Sequence, residues 1–131
     1  MKSDQSGNII LDKSFKFSLK IMEYCEPLYA AKRFRMADQI FRSGTSIGAN
    51  VREAQNAESR FDFVHKLKIA AKECDETGYW LELCEFSGFY PSTAELRKDL
   101  GDISRILDKI ISTNKKALNN KLQEQTIENA D

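Results

Sequence analysis

Six glycines and two prolines in 131 residues leave little in this chain to interrupt a helix. Between the few breaks, apolar residues return at steps of three and four, which places them on one side of an α-helix. The breaks fall at Gly7-Asn8, Pro27, Ser59, the run Ser87 to Thr93 and a polar tail, so the spacing predicts four helices. The first starts near Leu11, with Leu11, Phe15, Ser18, Met22 and Cys25 inward. The second covers about 33–57, with Phe34, Ala37, Phe41, Gly44, Ile47 or Gly48, Val51 and Ala54 inward. The third covers about 60–86 behind Phe63, Val64, Leu67, Ala70, Ala71, Cys74, Gly78 and Leu81. The fourth opens on Ser92 and Glu95, spaced as a capping box, and continues through Leu96, Leu100, Ile103, Leu107, Ile110 and Leu118.

Four amphipathic helices with short connections bury their stripes most simply as an all-α, antiparallel, up-down-up-down four-helix bundle. Residues 9–118 are expected to form it, with 1–8 a flexible N-terminus and 119–131 a flexible polar tail. Gly44 and Gly48 each cost up to roughly 1 kcal/mol against alanine inside a helix, which predicts close helix packing there, and Gly78 is read the same way.

Two helices carry more apolar surface than one core needs. Phe17, Ile21, Tyr24 and Leu28 form a second stripe on the first helix, and Ile69, Tyr79, Trp80 and Leu83 lie away from the inner stripe of the third. Both stripes are expected to make a homo-oligomer interface, since large exposed apolar patches mark protein contacts.

The formal charge is zero, but its distribution is uneven. Residues 32–72 hold nine basic and four acidic side chains, whereas 73–131 hold seven basic and twelve acidic. A local basic patch of Arg35, Arg42, Arg52, Lys66 and Lys72 is the candidate nucleic-acid surface, against the alternative that these side chains form a solvated, ion-paired face. Catalysis finds no support. With one histidine, His65, neither a paired-metal bundle site nor a nucleophile–base–orienter set can be assembled. Cys74 and Cys84 are separated by about 15 Å along one helix, too far for a bridge, and no cysteine pair has zinc spacing. The chain is therefore expected to be a non-enzyme with no cofactor, metal or small-molecule substrate. Its three cysteines fit a reducing cytoplasm, and no stretch approaches the ~18 apolar residues of a membrane span.

The segment Arg42 to Leu83, RSGTSIGANVREAQNAESRFDFVHKLKIAAKECDETGYWLEL, resembles proteins first named for reading frames inside intervening sequences of bacterial 23S ribosomal RNA. RSGTSIGAN, Glu53, Asp62-Phe63, Lys72-Glu73, Glu76-Thr77 and Tyr79-Trp80-Leu81 carry the resemblance, and Ile9 to Phe15 extend it. It implies a four-helix bundle assembled as a homopentameric ring, without established activity. Its relatives include the accessory protein of diversity-generating retroelements, which works with a reverse transcriptase and RNA through a basic ring surface. The expected function is thus a non-catalytic oligomeric scaffold binding RNA or a ribonucleoprotein. The alternative is a protein-only assembly or adaptor module.

Overall fold

A computed structural model describes residues 5–130, with side chains from 9 to 129. Four helices follow one another: α1 Gln5–Ala30, α2 Phe34–Ala54, α3 Arg60–Ser87 and α4 Ala94–Ala130. Among the described residues there is no strand. Each helix packs against its neighbours in the chain, and α1 also packs against α4; α1 and α3 lie across the diagonal, with no close backbone approach. The expected N-terminal segment 1–8 falls partly outside the described residues, and α1 already begins at Gln5.

The helix ends have local causes. Pro27 lies within α1, which carries on for three more residues. It then stops at Lys32, which takes a left-handed φ of 62° while the Arg33 amide reaches back to the Leu28 carbonyl at 2.9 Å. That is the backbone closure usual where a helix ends in the left-handed region. Ser59 caps α3 by accepting from the Asp62 amide at 3.0 Å, and Gly88, at φ 83°, terminates it. The expected Ser92–Glu95 box does not form at α4. Thr93 is the anchoring residue instead: its hydroxyl donates to the Leu81 carbonyl and its amide to Glu85. Glu95 pairs with Lys20 of α1. A carboxylate drawn to a cation on another helix cannot also reach back to its own helix start.

The core is a single cluster. It contains Ile10, Phe17, Ile21 and Leu28 from α1, Ile40, Ile47 and Val51 from α2, Leu67 and Leu81 from α3, and Ile103 and Leu107 from α4. The stripes of α3 and α4 lie close to their expected positions. The stripe of α1 does not. Phe17, Ile21 and Leu28, expected at an oligomer interface, are core residues, while Phe15 and Met22, expected inside, are about half exposed. Phe34 and Phe41 of α2 likewise face outward, and Ile40 takes the inner place.

The reason is the α1–α2 seam. A Cβ on Gly44 would lie 2.8 Å from Ile21 Cγ1, and one on Gly48 would lie 3.2 Å from the Ser14 carbonyl oxygen. The two glycines bring α2 against the side of α1 that carries Ser14, Ser18 and Ile21, and the hydroxyls of both serines bond within α1. The apolar stripe of Phe15, Leu19 and Met22, turned about 100° around α1 from that side, is then left outside. Gly78 differs from its expected role: a Cβ there would meet Leu100 at 3.5 Å, an ordinary contact. Finally, α4 continues as helix to Ala130, through the stretch whose polarity predicts a frayed tail; from Asn119 to Asn129 every side chain is exposed.

Candidate functional site

The five basic residues expected to contact nucleic acid do not form one free patch. Arg42 pairs with Glu73 at 3.3 Å and also with Glu76, both on α3. Lys66 pairs with Glu53 at 3.0 Å, and that hydrogen bond holds its ammonium above the ordinary lysine range. The guanidinium of Arg52 lies 5.7 Å from the centre of the Phe15 ring. Arg35 and Lys72 are exposed, and among the described residues they make no ion pair. Pairing between α2 and α3 therefore neutralises two of the five, as the solvated-face alternative has it. The partners lie 31 and 13 residues apart, beyond what local spacing reveals.

The apolar surface is more informative. On α1, Phe15, Leu19 and Met22 lie at steps of four and three along the outside, 45–51% exposed, with Phe41 exposed on neighbouring α2. On α3, Tyr79, Leu83 and Phe86 lie at steps of four and three, and Phe86 is 80% exposed. Tyr79 faces the α4 side, where it lines a shallow groove with Arg97 and Leu100. Since α1 and α3 are diagonal, these are separate faces on different sides of the bundle.

The remaining expected interface residues are half-buried. Trp80 stacks edge-on against Tyr79 at 5.2 Å and donates from Nε1 to Glu76 at 3.0 Å, the carboxylate that also holds Arg42. Ile69 is partly covered. Tyr24 donates its hydroxyl to the Pro91 carbonyl at 2.8 Å, tying α1 to the α3–α4 connection rather than facing a partner. At that same end Arg33 sits 4.4 Å over the Tyr90 ring and donates to the Phe89 carbonyl. The composition of α1 gave no sign that Phe15, Leu19 and Met22 would be the outward set; only the glycine positions on α2 could have indicated it.

Reactive groups are sequestered. Cys25, Cys74 and Cys84 are free thiols in the core, and burial pushes Cys25 up to about 11 and Cys74 up to about 12. At neutral pH these stay protonated and poorly nucleophilic. Among the described residues, no three His, Cys, Asp or Glu side chains gather as metal ligands, and no helix is long and apolar enough to cross a membrane.

A family model for 23S rRNA-intervening sequence proteins matches residues 7–109. A crystal structure from Bacteroides thetaiotaomicron VPI-5482, described as a protein of unknown function from the S23 ribosomal protein family, superposes with a TM-score of 0.78. It is 41% identical, and the match covers 82% of this chain and 99% of that one. No curated protein matches the chain. The all-helical fold and the extent of the match lead to one conclusion: this chain belongs to the 23S rRNA-intervening sequence protein family.

Proposed function

We propose that the protein is a non-catalytic subunit of a homo-oligomeric ring, with the face of Phe15, Leu19, Met22 and Phe41 docked on the face of Tyr79, Leu83 and Phe86 of the next copy. One observation carries this reading: a single chain has two separate helix faces on which exposed large apolar side chains follow one another at steps of three and four. Two different patches that bind each other form a head-to-tail contact, and such contacts either close into rings or run on as filaments. Five subunits is the number implied by the family resemblance. The antiparallel order of the helices is part of the proposal. It is supported by the pairing of Ser14 with Gly48 and Ile21 with Gly44, and of Lys66 with Glu53 and Glu73 with Arg42. The absence of catalysis is supported by the buried, protonated thiols and by a lone His65 with no hydrogen-bonded partner among the described residues.

Light scattering on a sizing column tests the reading. A pentamer of the 15.0 kDa chain has a mass of about 75 kDa. A 15.0 kDa species at micromolar concentration would refute assembly. Met22→Glu and Leu83→Glu, both at exposed positions, are each expected to give monomers with unchanged helicity.

A second reading, RNA bound on the assembled ring, is favoured by Arg35, Arg52 and Lys72, which have no acidic partner among the described residues. A ring repeats these side chains around its axis, and repetition raises avidity without any new contact. Affinity for structured RNA should then fall steeply as salt rises. It should also weaken in the Met22→Glu monomer. No binding at low salt would leave the protein-only scaffold.

A further inference from the structure

Neither reading uses the groove between the start of α3 and the far part of α4. Its apolar walls are Phe61 and Val64 on α3 and Leu118 and Leu122 on α4, around a space of about 500 Å3. Its charged lining is cationic throughout, with Lys68, Lys115 and Lys121 beside His65; Asn119 and Gln125 complete it, and no carboxylate takes part. Phe61 is 72% exposed and Leu122 60%. The α4 wall lies entirely beyond residue 109, where the family match ends.

We propose that the groove docks an acidic amphipathic helix from a partner protein. The walls are two helices side by side, and residues 115–125 span about 15 Å, room for two to three turns of a third helix. Such a helix would place anchors at i, i+4 and i+7 on Phe61, Val64, Leu118 and Leu122, the usual way a groove reads a helix. A helix laid along the groove would cover both of its exposed walls, Phe61 and Leu122. The unbroken cationic lining selects acidic flanks and rejects basic ones. The inference does not depend on ring assembly or on RNA binding, because its residues belong to neither surface.

The test uses the full-length protein and a labelled peptide of about 16 residues, long enough to be helical, with leucines on one face and glutamates beside them. A twin with lysines in place of the glutamates and an oligouridine RNA serve as competitors. The acidic peptide is expected to bind in the micromolar range and the basic twin at least ~10-fold more weakly. Leu122→Glu and Lys121→Glu should each weaken binding ~10-fold or more with the helical circular dichroism unchanged, since both side chains are exposed. Equal binding of the two peptides, or undiminished binding by Leu122→Glu, would overturn the proposal. So would displacement of the peptide by RNA, which would assign the groove to nucleic acid. Loss of self-association in Leu122→Glu would assign it to another copy of the chain and would equally overturn the proposal.

Discussion

The seam between α1 and α2 and the seam between α3 and α4 are built from opposite kinds of residue. Where Gly44 and Gly48 face Ile21 and Ser14, a Cβ would crowd Ile21 and press on the Ser14 carbonyl, and the helices close. Between α3 and α4, Gly78 leaves ordinary van der Waals room, and further along Phe61, Lys68, Lys115 and Leu122 border an open groove. The difference teaches that the small residues of α2 decide which side of α1 is inside. The outside of α1 is what remains, and it is apolar by consequence rather than by a separate surface pattern.

The sharpest way to break this comparison is to truncate the two phenylalanines of α1. Stability should be measured by urea unfolding in the Met22→Glu background, where association does not add to it. Phe17→Ala should cost about 3–5 kcal/mol, the range for a fully buried phenylalanine, and Phe15→Ala less than about 1 kcal/mol. Equal losses would mean that α1 presents its other side to the core.

Next in size is Gly44→Ala. Its methyl would enter the space of the buried Ile21, so a net destabilisation of about 1–3 kcal/mol is expected in spite of alanine's better helix propensity. Gly78→Ala should do the reverse and stabilise by up to about 1 kcal/mol, because its Cβ finds an ordinary contact with Leu100. If the two substitutions have the same sign, the seams do not differ as described.

The smallest effect concerns the anchor at the start of α4. The hydrogen bond from the Thr93 amide, first among the causes, holds the Glu85 carboxyl below its ordinary pKa of 4.5. A carboxylate with a lowered folded pKa stabilises the fold above its unfolded pKa, and loses that contribution as pH falls through the folded value. Glu85→Gln should therefore lower the melting temperature slightly at pH 7, and the gap from the parent protein should close on acidification below 4.5. A gap independent of pH would mean that the charge of Glu85 is not what anchors Thr93.

These contrasts explain which parts of the molecule could be read in advance. The four helices and the inner faces of α3 and α4 were legible because each has one dominant apolar stripe, such as Leu67, Ala70, Cys74 and Leu81. In α1 the sets containing Phe15 and Met22 and containing Phe17 and Ile21 are equally greasy, and periodicity cannot rank them. A tertiary constraint, the two glycines of α2, makes the choice. Ser43 was hidden for another reason: it is buried, with its hydroxyl satisfied by the Gln39 carbonyl at 2.7 Å, a bond internal to its own helix. The basic patch failed to separate from its acids because Arg42 and Lys66 meet Glu73 and Glu53 only once α2 and α3 pack. The α3–α4 groove was hidden because polarity after Asn119 reads as a frayed end, while the helix in fact carries Leu122 out alongside Phe61.

Head-to-tail docking of the α1 face on the α3 face is tested most directly by mixing two disabled proteins. Met22→Glu spoils one face and Leu83→Glu the other, so each alone should run as a monomer near 15.0 kDa, while an equimolar mixture should form a heterodimer through the one intact pair of faces and grow no further. A mixture that stays monomeric, or either variant assembling by itself, would contradict the account.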